Sequence, residues 1–282
     1  MTIRDLLSAR LITVDPDDSI DRAIALMEAH SIRHLPVVRH DRVVIGMLSD
    51  RDLLVAVGWM RASQRRADRP GAASVGPRSV HEIMSIPALA LGPDERVERA
   101  ARIMLEKRFN AAPVTVENRI VGIVTKTDLL RCYLSDRNEP RGAWRFRKVR
   151  EHMQAKVFWL RPDDLLAQAR RLMREKRIRH LPIVADARLV GILSDRDVRR
   201  QLGRERVEQV SHPDRSGVAD VKIGAIMIRP VETTTGSTTL AEAADRMVTR
   251  KFGALPVVEG DALVGILTQT DLLQVFAAAC EV

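Results

Sequence analysis

Hydrophobic and polar positions along the first fifty residues change their spacing in a definite order. Between residues 19 and 30, apolar side chains recur at helical spacing behind a serine that suits an N-cap. These apolar positions are Ile20, Ala23, Ile24 and Met27. The pattern predicts a helix with one buried stripe.

Short runs rich in β-branched residues surround this helix. Residues 35–38 and 43–48, joined by a polar turn, predict a hairpin. Residues 11–14 predict a short strand before the helix, and Ser49 opens a second predicted helix over residues 50 to about 57. The predicted order is strand, helix, strand, strand, helix.

Four copies of this pattern fill the chain, and a proline in each hairpin aligns them. The prolines are Pro36, Pro113, Pro182 and Pro256. The residues that lie 29 positions before them are Leu7, Met84, Met153 and Met227. Glycines follow the prolines, ten residues later in the first copy and nine in the others, at Gly46, Gly122, Gly191 and Gly265. This register establishes an internal repeat, and a unit of about fifty residues needs a neighbour to bury its sheet.

Identities between the copies predict two domains of two repeats each. Copies one and three share Ile-Arg-His-Leu-Pro and Leu-Ser-Asp-Arg-Asp, whereas copies two and four share Thr-x-Thr-Asp-Leu-Leu. An alternating pair has therefore been duplicated. The predicted repeats are residues 1–57, 80–134, 149–202 and 223–282, which give domains at 1–134 and 149–282. The predicted linkers are residues 58–79, 135–148 and 203–222.

Composition is that of a soluble globular protein, with 45% hydrophobic and 29% charged residues among 282. No apolar run approaches the roughly eighteen residues needed to cross a bilayer, and the N-terminus lacks a signal-peptide pattern. We therefore expect a cytoplasmic protein with no membrane partner. Cys132 and Cys280 belong to no metal-type spacing, so we expect free thiols and no metal site.

A hydroxyl residue and an aspartate recur three positions apart behind each glycine-bearing strand. These pairs, which we call the Ser/Thr-Asp corners, are Ser49 and Asp52, Thr125 and Asp128, Ser194 and Asp197, and Thr268 and Asp271. One interpretation is a capping box that satisfies free amides at a helix start. The other is a ligand site, since a vicinal diol needs a carboxylate and a phosphate needs hydroxyls and free amides. The short Asp in all four copies favours the ligand site.

The combined motif of apolar-Pro-Val and Gly-apolar-x-Ser/Thr-x-x-Asp resembles CBS domains, paired as two Bateman modules. The resemblance covers nearly all of the chain except its linkers, and extends to the gamma subunit of the AMP-activated protein kinase and to stand-alone archaeal and bacterial proteins with four CBS repeats. It implies an α+β fold of the broad α/β class, with β-α-β-β-α repeats in a pseudo-symmetric disk. It also implies adenosine-ligand sensing, in which Asp52 and its counterparts hold ribose and the Ser/Thr residues help to hold phosphate.

Basic side chains differ between the copies. Arg33-His34 and Arg179-His180 precede the prolines of copies one and three, where the kinase gamma subunits also place residues that meet phosphates. Copies two and four have Asn-Ala and Gly-Ala there, which argues against occupancy of all four sites. Arg51 and Arg196, inside the corners, are further phosphate-binding candidates. Solvated charges at a hairpin edge are the alternative for these basic pairs.

The sequence offers little for catalysis. His81-Glu82 lacks the second histidine of a zinc motif, and no phosphate-binding glycine loop is present. We expect a free-standing regulator, not an enzyme, with no obligatory cofactor. Its expected ligand is AMP, ADP or ATP, with or without Mg²⁺, and its expected partner is an unidentified regulated protein, with a homodimer also open.

Two alternatives stay open. S-adenosylmethionine or a dinucleotide polyphosphate could replace AMP, ADP or ATP. The net charge of +9 and the basic linkers could instead bind nucleic acid, with Trp144 and Phe146 stacking on bases. An interdomain strap, with arginines lying along apolar surface, is the favoured interpretation of residues 137–150.

Overall fold

A computed structural model describes residues 1–7, 11–53, 77–86, 88–135, 142–198, 201 and 221–279. The chain divides into two compact units, unit 1 at Met1–Leu129 and unit 2 at Leu130–Val282, with two repeats in each. The division falls inside the last helix of the second repeat, so this helix begins in unit 1 and ends in unit 2. Within the described ranges, no helix is both long enough and apolar enough to span a bilayer.

Unit 1 contains one antiparallel sheet with the strand order β1-β2-β4-β3. Its described elements are α1 (Ile20–Ala29), β1 (His34–Arg39), β2 (Val43–Ser49), α2 (Val97–Glu106), β3 (Ala111–Val116), β4 (Arg119–Thr125) and α3 (Lys126–Ser135), the last shared with unit 2. The predicted helix behind Ser19 and the predicted first hairpin are confirmed. The second predicted helix starts at residues 50–53, and its remaining residues 54–57 lie outside the described part of the chain.

Along the chain, unit 2 has the same order of helices and strands, and each of its two hairpins is paired antiparallel. Its elements are α4 (Leu166–Lys176), β5 (His180–Ala185), β6 (Arg188–Ser194), α5 (Leu240–Arg250), β7 (Ala254–Glu259), β8 (Ala262–Thr268) and α6 (Gln269–Ala279). A helical segment also follows β6 at residues 195–198. The fold is therefore α+β, built from four similar repeats.

The predicted apolar stripe of the first helix in each repeat is buried. In α1, Ala23 and Met27 pack with Val14 and Leu35 in one hydrophobic cluster. Alanine and methionine at the same positions are buried in the other copies, at Ala100 and Met104, Ala169 and Met173, and Ala243 and Met247. These side chains are core, as their helical spacing predicts.

The predicted strand at residues 11–14 is wrong, because only Val14 forms a bridge, parallel to Val37 of β1. Val14 donates its N–H to the Pro36 carbonyl and accepts from Val38. A longer parallel ladder would need the N–H of Pro36 on one side and of Pro16 on the other, and proline has none. The same single bridge recurs in the other repeats at Leu91, Leu160 and Thr234.

The N-terminal segment of each repeat packs on the other repeat of its unit, so the two repeats exchange these segments. Met84 of the second repeat lies against Gly46 in the first repeat, so closely that a Cβ on Gly46 would be 2.8 Å from its sulfur. The remaining pairs of this kind are Leu7 with Gly122, Met153 with Gly265, and Met227 with Gly191. The residues spaced 29 positions before each proline thus fill the space that a glycine leaves in the partner repeat.

Candidate functional site

Each Ser/Thr-Asp corner lies where the second hairpin strand ends and a helix begins. The aspartate Oδ2 accepts two hydrogen bonds, one from the backbone N–H and one from the hydroxyl of the Ser or Thr. The hydroxyl donors lie at 2.6 Å in the first three corners and 2.7 Å in the fourth. The hydroxyl in turn accepts from the aspartate N–H at 3.3 to 3.4 Å. All four corners therefore form the capping box, the first of the two interpretations of this pattern.

The capping box uses one carboxylate oxygen and leaves the other for a second partner. For Asp52 and Asp197, no described residue donates a hydrogen bond to Oδ1. Both aspartates are half-buried. A capping role and a ligand-binding role can thus coexist on the two oxygens of one side chain.

The capping hydrogen bonds of Asp52 do not fully compensate the unfavourable effect of burial on its charged carboxylate. Burial raises the pKa of this carboxyl above its usual range, and the two hydrogen bonds from Ser49 oppose that effect without cancelling it. The neighbouring Asp50 raises the pKa further. Additional donors, such as the hydroxyls of a ribose, would stabilise this carboxylate.

The fourth corner differs, because Asp271 has a side-chain partner on its second oxygen. The Nε2 of Gln154 donates to Asp271 Oδ1 at 2.9 Å. Asp271 is also buried, with 8% of its surface exposed. The sequence alone does not distinguish Gln154, because its only signal is a polar residue directly after the exchanged methionine.

The basic pairs lie beside the corners of their own repeats. His34 pairs with Ser49 across the first hairpin, and the Arg33 carbonyl accepts from the N–H of Asp50 at 3.0 Å. In the third repeat, His180 pairs with Ser194, and the Arg179 carbonyl accepts from Asp195 at 3.0 Å. All four basic residues are half-buried.

The second and fourth corners lack such pairs. Ala111 and Ala254 pair with the corner threonines, so small apolar side chains replace the histidines. The residues after the threonines, Lys126 and Gln269, are both buried. The Nε2 of Gln269 donates to the Phe252 carbonyl at 3.0 Å.

The corners of the first and third repeats also contain acids that the sequence analysis passed over. Asp50 and Asp195 are almost fully buried, whereas Arg51 is exposed and Arg196 half-buried. Ionised side chains at such positions need partners. A signal was present in the Ser-Asp-Arg-Asp sequence, whose first aspartate lies outside the recurring Ser/Thr-x-x-Asp spacing.

The linker before the third repeat packs on unit 2. The ring of Trp144, with 5% of its surface exposed, contacts Phe276 of α6 edge-on at 4.0 Å between centroids. Arg145 lies over the Trp144 ring and donates to the carbonyls of Tyr133 and Leu134 near the end of α3. All of these contacts lie within unit 2, so the linker packs as a strap on this unit and its role between the two units stays a prediction. Phe146 is the exposed aromatic residue of the pair. Arg61, Arg65, Arg66 and Arg69 of the first linker lie outside the described residues.

Comparisons with known proteins agree with this architecture. The model of the CBS domain matches residues 3–58, 80–135, 149–204 and 223–278. An uncharacterised protein of Methanocaldococcus jannaschii, MJ1225, is 28% identical over 95% of this chain and 96% of its own. Its crystal structure, described as that of a candidate archaeal homologue of γ-AMPK, matches with a TM-score of 0.85 over 98% of this chain and all of that one. An uncharacterised 33.4 kDa protein of Thermofilum pendens is 27% identical over 93% of this chain and 87% of its own. The chain belongs to the CBS-domain family, a family of regulatory domains, and carries four copies of the domain.

Proposed function

We propose that this protein is a stand-alone sensor that binds adenosine ligands at its Ser/Thr-Asp corners and passes their occupancy to a partner protein. The ligands are AMP, ADP or ATP, and Mg²⁺ can accompany their phosphates. The likeness to MJ1225 over the whole length of both chains supports a regulatory role.

The observation that carries the proposal is the Oδ1 of Asp52 and of Asp197, which accepts from no described residue and lies in a corner with a basic pair. A ribose diol offers the hydroxyl donors that Oδ1 of each aspartate does not receive from the described residues. Arg33-His34 and Arg179-His180 lie in the same corners and supply positive charge for phosphate. The first and third repeats are therefore the proposed high-affinity sites.

Other adenosine ligands remain within this proposal. S-adenosylmethionine and dinucleotide polyphosphates also carry a ribose diol, and they differ from AMP in the charge next to the ribose. The basic pairs favour an anionic ligand over the sulfonium cation of S-adenosylmethionine.

A nucleic-acid-binding function has weaker support. Base stacking needs an accessible aromatic face, and Trp144 is packed against Phe276. Phe146, which is 76% exposed, remains available but stands in a strap whose Arg145 is engaged with backbone carbonyls. Nucleic acid binding is therefore the weaker candidate function.

A thermal-shift experiment tests the proposal. AMP, ADP, ATP and S-adenosylmethionine are added to the full chain at about 100 times a micromolar Kd, where a ligand selective for the folded state adds about 2.7 kcal/mol of stability. We expect a rise in Tm with at least one adenine nucleotide and none with inorganic phosphate, which lacks the ribose diol. No rise with any adenosine ligand would refute the proposal.

Matched variants separate binding from capping. Asp52→Ala with Asp197→Ala should abolish the ligand-induced rise and lower the ligand-free Tm modestly, since a lost cap costs about 0.5–2 kcal/mol. Glu242→Ala removes the acid of another capping box, on α5 behind Thr239, and serves as the control. It should lower the ligand-free Tm by about half as much, because one capping acid is removed instead of two, and keep the ligand-induced rise. Binding that survives in the Asp52, Asp197 double variant would assign these aspartates to capping alone.

A further inference from the structure

Unit 2 contains two corners with the same capping box but different second partners. In the fourth corner, Thr268 donates a hydrogen bond to Oδ2 of Asp271, and Gln154 donates one to Oδ1. In the third corner, Ser194 fills Oδ2 of Asp197, and no described residue donates to its Oδ1. Asp197 therefore has a carboxylate oxygen that accepts from no described residue, whereas both oxygens of Asp271 accept hydrogen bonds.

The difference arises from the exchanged segments. Gln154 follows Met153 and forms a bridge with Ile266 of β8, two residues before Thr268. Ile228 follows Met227 and forms the equivalent bridge with Ile192 of β6. The repeat symmetry thus puts an amide donor within hydrogen-bond distance of Asp271, and the equivalent position of the third corner has an aliphatic side chain, which cannot donate.

The first repeat provides a third version of the same position. Ser85 follows Met84 and forms the bridge with Met47 of β2. No hydrogen bond from the Ser85 side chain to Asp52 is found in the described structure. Among these three corners, the side chain after the exchanged methionine reaches the aspartate only where it is glutamine.

We infer that Gln154 closes the fourth corner, so that unit 2 binds an adenosine ligand at Asp197 and not at Asp271. This inference rests on the proposed function and specifies which corner of unit 2 takes the ligand. A ribose hydroxyl must displace the amide of Gln154 from a carboxylate, and the cost of losing such a charge-assisted bond lowers affinity by roughly 10- to 100-fold. The fourth corner also has Gly253-Ala254 where the first and third repeats have a basic pair, so it lacks the pair that would offset this cost.

Reciprocal substitutions test the inference in the full chain. Asp52→Asn and Asp128→Asn first silence unit 1, and AMP binding is then measured by isothermal titration calorimetry. In this background we expect one site, lost with Asp197→Asn and kept with Asp271→Asn. Gln154→Ile, which copies Ile228, should add a second site that Asp271→Asn removes. Ile228→Gln should weaken the Asp197 site roughly 10- to 100-fold.

The possible outcomes separate this inference from the proposed function. If the wild-type chain binds AMP but Gln154→Ile adds no site, or if Asp271→Asn abolishes the site of unit 2, the inference fails and the proposed function stands. If neither the wild-type chain nor any variant binds AMP, ADP, ATP or S-adenosylmethionine, both fail together. Gln154→Ser, which copies Ser85, is the replacement should the isoleucine variant not fold, as judged by its thermal unfolding.

Discussion

Single residues distinguish the repeats, and the basic pairs do so by charge. Arg33 and Arg179 lie beside the corners of the first and third repeats. A charge-assisted contact to phosphate contributes about 1.5–3 kcal/mol, whereas adenosine has no phosphate to use it. Arg33→Ala with Arg179→Ala should therefore weaken ATP binding by at least about tenfold and leave adenosine binding nearly unchanged.

Calorimetry on the two ligands checks this expectation. Arg188→Ala removes an exposed arginine at the start of β6 and controls for the loss of one of the two positive charges. Equal losses of affinity for ATP and adenosine would mean that Arg33 and Arg179 shape the hairpin and do not contact phosphate.

A buried hydroxyl in the fourth repeat gives a prediction about stability. Thr234 is 2% exposed, and its Oγ1 has no hydrogen-bond partner in the described structure. It forms the single parallel bridge that Val14, Leu91 and Leu160 form in the other repeats. Because a buried hydroxyl without a partner is unfavourable, Thr234→Val should raise the free energy of unfolding by about 1–3 kcal/mol.

Urea unfolding measures this change. The reciprocal substitution Val14→Thr buries a hydroxyl in the first repeat and should lower the stability by a similar amount. An unchanged or lower stability for Thr234→Val would indicate that the Thr234 hydroxyl does have a partner in solution.

Among the structural elements, the hairpin turns carry local backbone strain. Ala187 has φ 61° in the turn between β5 and β6, a left-handed conformation that glycine adopts without penalty. Ala187→Gly should therefore stabilise the chain by about 0.4–1 kcal/mol. Asn118, with the same φ in the turn of the second repeat, tolerates this conformation better.

Denaturant unfolding of both variants checks the prediction. Asn118→Gly is the matched control and should give the smaller gain. A loss of stability for Ala187→Gly would show that the alanine side chain makes a contact worth more than the relief of strain.

A short helical turn in the second repeat makes stability depend on acid pH. Glu82 caps this turn, and hydrogen bonds from Arg78 and Ser79 lower the pKa of Glu82 from 4.5 to about 2. A lowered folded-state pKa adds stability above pH 4.5, and this stability is lost as pH falls from 4.5 toward 2. Because the side chain is exposed, solvent screening limits the effect to about 1 kcal/mol or less.

Unfolding at pH 6 and pH 3 tests the role of Glu82. Glu82→Gln retains a capping side chain without the charge, so its stability should fall less between these two pH values than that of the wild-type chain. An identical fall in both proteins would contradict the assignment.

The elements were largely predictable from sequence, because helical and alternating spacing is local. The predicted strand at residues 11–14 does not form, and the sequence contained the reason, because Pro16 and Pro36 lack the N–H groups that a longer ladder needs. The exchange of segments escaped prediction because it joins Met84 to Gly46 across distant parts of the chain. The Ser/Thr-Asp corners were found as a motif, but the role of Gln154 depends on that exchange and could not be read from one repeat.

For the whole molecule, the exchanged segments make each unit depend on both of its repeats. Removing Met153 would open space beside Gly265 in the partner repeat, so the third and fourth repeats should unfold together. The strap adds a second packing contact within unit 2, because Trp144 of the linker packs on Phe276 of α6. The linker is therefore part of the core of unit 2 as well as a connection between repeats.

The contribution of the strap can be measured by one substitution. Trp144→Ala removes a buried ring that packs on Phe276, and such a truncation costs about 3–5 kcal/mol. Hydrogen–deuterium exchange should therefore accelerate in α5, α6 and the end of α3, while the sheet of unit 1 keeps its protection. Phe146→Ala, which truncates the exposed neighbouring ring, is the control and should leave exchange in unit 2 unchanged. If Trp144→Ala instead left exchange in α6 unaffected and lowered affinity for single-stranded nucleic acid, the strap would be a nucleic-acid-binding segment, and its packing on Phe276 would contribute little to the stability of unit 2.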